Sequence, residues 1–169
     1  MKVTRYIGYF SLFLTLFIFS IFFINLFEDS EVNFLDKNLP SGEIKTFDGN
    51  LLDVNLLKKN EFSLLNVWAT WCINCKLEHG FLMAKKTEGW NIVGLNYKDD
   101  LEKALKWLDQ YGNPYSVNLY DQDGTYGFSL GVSGAPETYL LKEDKILQKH
   151  IGIMSEKVWK DKFIPLINN

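Results

Sequence analysis

Cysteine is scarce in this chain: Cys72 and Cys75 are the only two among 169 residues. Two thiols cannot build the multi-bridge framework that staples small secreted domains. They also fall short of a four-thiolate zinc site, the commonest competing reading of a Cys-x-x-Cys pair. An excess of positive charge is lacking too. Lys and Arg number 18 against 21 Asp and Glu, a net charge of -3, which points away from nucleic acid as a partner. There are no internal repeats and no low-complexity segments. The length supports one domain with a core of its own, plus attachments.

What is present is organised around one stretch, Asn66-Val67-Trp68-Ala69-Thr70-Trp71-Cys72-Ile73-Asn74-Cys75-Lys76. It reads as the end of a buried strand, a tight turn and the start of a helix. The spacing of the cysteines closes a small ring without large backbone movement. Cys72 falls at the positive end of the helix, where unpaired N–H groups and the macrodipole favour a thiolate. That thiolate is the species that attacks a disulfide. Cys72 is therefore expected as the attacking sulfur, and Cys75, one turn inside, as the resolving one. The competing reading is a pair of buried structural thiols. Trp71 flanks the pair as a water shield or a contact surface, whereas Trp68 reads as core.

The chain has one long apolar run, Tyr6 to Phe27, with 22 residues and no charge. That is about the ~20 residues a helix needs to cross a bilayer. Lys2 and Arg5 precede it, and Glu28, Asp29 and Glu31 follow, so the rest of the chain is expected on the far side of the membrane. A cleaved signal peptide is the alternative; the length of the run and the absence of a small-x-small pair before a cut tell against it. The expected division is an anchor over 1–28, a linker over 29–42 and a folded domain over 43–169. In that far-side compartment a vicinal cysteine pair at a helix start favours redox work over a structural role.

Within the domain, Glu43 to Phe47 reads as extended, Asp53 to Lys58 as a short helix and Phe62 to Trp68 as a buried strand. Ile73, Leu77, Phe81 and Ala84 form the apolar stripe of the helix after the cysteines, which ends around Gly89. Asn91 to Tyr97 is the next strand, parallel to the first. Asp99 and Glu102 suggest a capping box for a helix over Leu101, Ala104, Leu105 and Leu108, stopped by Gly112-Asn113-Pro114. Ser116 to Tyr120 is a short strand and Asp121 to Gly124 a turn. Tyr139 to Leu141 and Ile146 to Ile151 form a hairpin. Ser155 caps a last helix that uses Trp159, Phe163 and Leu166. A βαβ unit, a helix and strand, then a ββα unit is the thioredoxin plan: an α/β fold with a mixed central sheet flanked by helices.

Glu78 lies one turn past Cys75, and Glu137 directly follows Pro136. Near the pair, either carboxylate raises the thiol pKa values or shuttles the proton of the resolving thiol. Away from it, each is a solvated surface charge. His79 and His150 invite a copper site with the two cysteines; the two-residue gap between those cysteines tells against it. No metal or other cofactor is expected, and His79 reads as a helix-surface residue.

Asn66 to Cys75 resembles the membrane-anchored periplasmic thioredoxins. Val93-Gly94-Leu95-Asn96-Tyr97-Lys98-Asp99-Asp100 and Gly131-Val132-Ser133-Gly134-Ala135-Pro136-Glu137-Thr138 narrow this to a close resemblance to the CcmG/DsbE family, thiol–disulfide oxidoreductases of cytochrome c maturation. Glu78-His79, Gly112-Asn113-Pro114-Tyr115 and Val158-Trp159 fit the same pattern, and the resemblance runs from about Leu39 to Leu166.

The resemblance implies a reductant facing the periplasm from the inner membrane. It would reduce the haem-attachment Cys-x-x-Cys-His disulfide of apocytochrome c, directly or through a thiol partner of the maturation complex. Its own electrons would come from a transmembrane thiol carrier. The family assigns Cys72 as attacker and Cys75 as resolver, and makes Pro136 a cis proline with Ala135 offering backbone groups to an extended substrate. It makes Glu78 and Glu137 an acidic surround. Two departures stand out. Ile73-Asn74 separates the cysteines where the family usually begins with proline, which frees a backbone N–H at the helix start. Asn66 occupies the place of the buried acid of cytoplasmic thioredoxins. The rival readings are a thioredoxin-like reductase of another haem-assembly or disulfide pathway, and a non-catalytic metal-binding assembly module.

Overall fold

Alternating and wholly apolar runs build the sheet, and the sheet positions the cysteines. The computed structural model describes residues 12–21, 37–57 and 59–168. Residues 12–21 form helix α1, whose large apolar side chains, Phe13, Leu16 and Phe19 among them, are exposed. Among the described residues no helix is long and apolar enough to cross a membrane. The remainder of the Tyr6–Phe27 run, and the 29–36 part of the expected linker, lie outside the described residues.

The strands are β1 (Lys37–Asn38), β2 (Glu43–Thr46), β3 (Leu51–Asp53), β4 (Lys59–Trp68), β5 (Asn91–Tyr97), β6 (Val117–Asp121), β7 (Glu137–Glu143) and β8 (Lys145–Ile151). They form one sheet in the order β1-β8-β7-β4-β5-β6-β2-β3. β4, β5 and β6 run parallel, and every other pairing is antiparallel. This is the mixed sheet of the thioredoxin plan. β1 falls inside the stretch expected to be linker, and it pairs with β8 while Leu39 enters the core.

The long helices are α2 (Ile73–Thr87) and α3 (Leu101–Tyr111); α4 (Thr125–Leu130) is short. The C-terminal segment is α5 (Glu156–Val158), a π-turn at Trp159–Phe163 and α6 (Ile164–Ile167). Ser155 caps it, accepting from the Val158 N–H. Period-2 alternation sends the two faces of the sheet into separate cores. Leu65, Val67, Tyr139 and Leu141 face the core that holds Tyr126 and Leu130 of α4. Leu64, Trp68 and Leu140 face the other, with Cys72, Cys75 and Leu82, Ala104 and Leu108 of α3, and Trp159 and Phe163.

Two expectations are corrected, and one element was not foreseen. Part of the stripe expected to face inward from α2 faces out: Ile73 and Leu77 are 79% and 67% exposed, while Phe81 is half-buried against Trp159. The buried face is Cys75, Glu78, His79, Leu82 and Lys85, whose polar groups find partners in neighbouring elements. Asp100, not Asp99, caps α3, accepting from the Lys103 N–H at 2.9 Å; Glu102 pairs with Lys106 instead of closing a capping box. Finally, α4 was not foreseen. Its six residues begin after a left-handed Gly124, and the Asp121 carboxylate accepts from the Tyr126 and Gly127 N–H groups.

Candidate active site

β4 ends at Trp68, and the chain turns at Ala69–Cys72, where the Cys72 N–H donates to the Ala69 carbonyl at 3.2 Å. Cys72 is the extended N-cap residue of α2. Its sulfur accepts the Cys75 N–H at 3.0 Å, so a helix-end donor points at the atom expected to carry thiolate charge. The two cysteines form a disulfide with Cα atoms 5.3 Å apart. Cys72 is the more exposed sulfur residue, at 7% against 3% for Cys75. Trp71 stands beside it, 55% exposed, with its indole N–H donating to the Lys98 carbonyl at 3.0 Å.

Glu78 shares the inward face of α2 with Cys75 and is 1% exposed, so the solvated-charge reading does not apply to it. Its Oε1 accepts from Asn66 Nδ2 at 2.8 Å and its Oε2 from the Met154 N–H at 2.8 Å. Asn66 Nδ2 also donates to Thr138 Oγ1 at 3.1 Å, and Asn66 Oδ1 accepts from the Tyr115 hydroxyl at 2.9 Å. Burial pushes the Glu78 carboxyl up to about 7, although the two hydrogen bonds pull the other way. Burial pushes the Tyr115 hydroxyl well above its ordinary value, and the charge of Glu78 adds to this. Sequence reasoning missed Tyr115 as a member of this network. Its signal was the glycine that makes room for it: a Cβ on Gly94 would stand 2.6 Å from the ring.

The Ala135–Pro136 peptide bond is cis. Pro136 is buried, and Ala135 packs against the core that contains both cysteines. Glu137 is not brought to Glu78. In the β4–β7 register Glu137 opposes Val67, on the face away from the cysteines, whereas Thr138 opposes Asn66 on the cysteine face. The Glu137 carboxylate is wholly buried. It accepts from the Ser133 N–H at 2.8 Å, from the Ser133 hydroxyl and from the Tyr139 hydroxyl at 2.6 Å, and pairs with Lys149 at 3.1 Å.

His79 is buried, contrary to its reading as a surface residue. Its Nε2 lies 3.2 and 3.1 Å from the carbonyls of Tyr111 and Gly112, which makes it the N–H donor, and its ring meets Trp107 edge-on at 4.5 Å. That geometry ties α2 to the end of α3. Burial holds the imidazole below its ordinary pKa, against those two carbonyls. Trp68 is core, 1% exposed, its ring centroid 5.5 Å from that of Tyr115. Among the described residues no group of three or more His, Cys, Asp or Glu side chains is arranged to hold a metal ion.

A helix-capping disulfide at the end of a central parallel strand, in this sheet, defines a thiol–disulfide oxidoreductase of thioredoxin-like fold. Residues 35–161 match the Redoxin family model. The chain is 42% identical over 135 residues to the thiol:disulfide interchange protein DsbE of Yersinia pestis, covering 78% of this chain and 72% of that protein. It is 41% identical over 135 residues to DsbE of Escherichia coli K12, with 78% and 73% coverage. A secreted disulfide oxidoreductase of Mycobacterium tuberculosis shares the fold, with a TM-score of 0.59, 21% identity and coverage of 69% of this chain and 89% of that one. A secreted thiol-disulfide isomerase of Corynebacterium glutamicum matches with a TM-score of 0.60 at 25% identity, covering 78% and 86%. The chain belongs to the Redoxin family and, within it, to the DsbE thiol:disulfide interchange proteins.

Proposed function

We propose that this protein is a membrane-anchored, periplasm-facing reductant of cytochrome c assembly. The observation that supports this best is the Cys72–Cys75 disulfide at the start of α2, with Glu78 buried on the same inward face. In the forward step the Cys72 thiolate attacks one sulfur of a partner disulfide. A Cys72–partner bond forms, the partner's S–S bond breaks, and its second sulfur leaves as a thiolate with the bonding pair. Cys75 then attacks the Cys72 sulfur and closes the internal disulfide, which releases the first partner sulfur; two electrons have passed to the partner. Cys75 must lose its proton to attack, and a carboxyl with a pKa near 7, one turn along the same face, is suited to take it.

Trp71 and the Ala135 backbone are the proposed walls of the substrate site, with Pro136 beside them. The proposed partners are an apocytochrome c with a Cys-x-x-Cys-His disulfide, or a thiol protein that passes electrons to it. A transmembrane thiol carrier is the proposed donor. The Tyr6–Phe27 run is proposed as the uncleaved inner-membrane anchor, on its length and flanking charges. Glu137 enters this mechanism only through the loop it holds.

The test is the equilibrium potential of the pair, read by tryptophan fluorescence of the full-length protein in thiol redox buffers. Roughly -270 to -200 mV supports a reductant, whereas a value near about -120 mV marks an oxidant and overturns the proposal. Replacing Cys75 with Ser should trap a mixed disulfide. An apocytochrome c or its thiol partner in the trap supports the pathway; a trapped protein of another disulfide pathway favours the rival reductase.

A further inference from the structure

The turn that presents Cys72 is held from outside its own element. Asp99 follows β5, and its carboxylate collects four donors. Oδ2 accepts the Thr70 N–H at 2.6 Å and Asn96 Nδ2 at 2.9 Å. Oδ1 accepts the Thr70 hydroxyl at 2.6 Å and the Asp100 N–H at 2.9 Å. Thr70 therefore meets this one carboxylate through both backbone and side chain, two residues before Cys72. The next residue is held by the same loop, since the Trp71 indole donates to the Lys98 carbonyl at 3.0 Å.

The loop is itself fixed. Lys98 adopts a left-handed backbone conformation, with φ 48°, which a non-glycine residue keeps only where its surroundings impose it. Its N–H donates to the Asp121 carbonyl of β6 at 2.9 Å, and the Tyr120 hydroxyl reaches the Asp99 carbonyl at 3.3 Å. Asp99 is not needed to cap the helix that follows, because Asp100 does that. The non-local partner of its carboxylate is the turn before the reactive sulfur.

We propose that Asp99 is a positioning residue for disulfide exchange: through Thr70 it holds the turn that presents Cys72, with the Trp71 indole fixed alongside by Lys98. The clamp does not depend on the disulfide. When the internal S–S bond opens, the covalent link that fixes Cys72 against α2 is lost, while the Asp99–Thr70 bonds persist and keep the thiolate where a partner disulfide must arrive. Exchange needs the two sulfurs and the leaving sulfur in line, so small displacements of the turn are felt in the rate with a large substrate. A small disulfide, free to approach from many directions, is less sensitive.

This inference rests on Cys72 as the attacking sulfur, and exchange that persists in Cys72→Ser would sink that reading separately. The experiment compares full-length wild type, Asp99→Ala, Asp99→Asn and Thr70→Val in their reduced forms. Each is reacted with a disulfide-closed Cys-x-x-Cys-His peptide and with oxidised glutathione. Asp99→Ala should slow the peptide reaction about tenfold, a scale reached by sub-ångström to ångström misplacement, and slow the glutathione reaction less. Asp99→Asn should recover part of the peptide rate, since its amide oxygen can accept the Thr70 N–H and its amide nitrogen can donate to the Thr70 hydroxyl, while the Asp100 N–H loses its acceptor. Thr70→Val, which removes a donor from the other side of the clamp, should slow the peptide reaction in the same sense. If Asp99→Ala does not fold, Thr70→Val carries the test. A wild-type peptide rate in Thr70→Val or in a folded Asp99→Ala, or equal losses with peptide and glutathione, overturns it.

Discussion

Asn66 and Glu78 are joined by a 2.8 Å hydrogen bond in the core behind the disulfide, with the amide of Asn66 donating to the carboxylate. A neutral donor thus stands where a second acid would repel the first, and Glu78 is the one titrating group in that contact. Burial raises its carboxyl to about 7 from 4.5, so the folded protein holds the proton more tightly than the unfolded chain. Its contribution to stability is full below about 4.5 and is lost as pH rises through about 7, an effect of about 3 kcal/mol. Denaturant unfolding of the oxidised protein at pH 5 and pH 8 should show this fall, and Glu78→Gln should abolish it. Burial lowers the His79 pKa, so His79 contributes stability of the opposite pH sign in this window. A wild-type minus Glu78→Gln difference that is flat from pH 5 to pH 8 would show that Glu78 is not the buried acid described here.

Gly94 and Tyr115 make a second test of the same network. The Tyr115 ring lies so close over Gly94 that a Cβ would meet it at 2.6 Å, and the ring's rigid inner atoms cannot swing aside. Gly94→Ala is expected to displace the ring and lose its 2.9 Å bond to Asn66, at about 1–3 kcal/mol for overpacking. Tyr115→Phe keeps the ring, strands only the Asn66 oxygen, and should cost about 1–2 kcal/mol. Melting curves that rank Tyr115→Phe as the worse of the two would contradict this.

The sequence was most legible where apolar residues face inward. β4 and β5 stand out as apolar runs, and their parallel pairing follows from the helix between them. It was least legible on α2. Periodicity assigns apolar side chains to the core, but here Glu78, His79 and Lys85 are buried while Ile73 and Leu77 face solvent. The inward positions go to Glu78 beside the cysteines and to His79 and Lys85, which tie α2 to the end of α3 and to the C-terminal segment. The two-residue β1 carries no periodicity at all. α4 contains Gly127 and is flanked by Gly124 and Gly131, which reads locally as a turn; its capping acid, Asp121, comes from the preceding strand. The face chosen by Glu137 depends on a strand register that sequence alone does not reveal.

Glu137 and Lys149 form a buried ion pair at 3.1 Å, with side-chain exposures of 0% and 5%. Lys149 also donates to the Gly131 carbonyl at 2.8 Å, so the pair fastens the 131–133 loop to β7 and β8. Lys149→Met leaves a buried carboxylate without its cation and should cost about 3–5 kcal/mol. In the double variant Lys149→Met with Glu137→Gln the loss should be smaller than in Lys149→Met alone, because no uncompensated charge remains. Strict additivity in a double-mutant cycle would mean that the two charges do not interact.

Lys85 tests how the C-terminal segment is attached. The ammonium pairs with Glu88 and Glu156 at 3.0 Å each, and lies 5.2 Å from the ring centres of both Phe81 and Trp159. Glu88 and Glu156 are half exposed, so both rehydrate if the lysine is removed, and the loss of charge alone is modest. The buried lysine stem is the larger contribution, since it fills the space between α2 and the C-terminal helix. Lys85→Ala should therefore cost about 2–3 kcal/mol, within the range for emptying a core position. Lys85→Met, which keeps the apolar stem and drops the charge, should recover more than half of that. Were Lys85→Met as damaging as Lys85→Ala in denaturant unfolding, the ion pairs rather than the stem would hold the C-terminal helix in place.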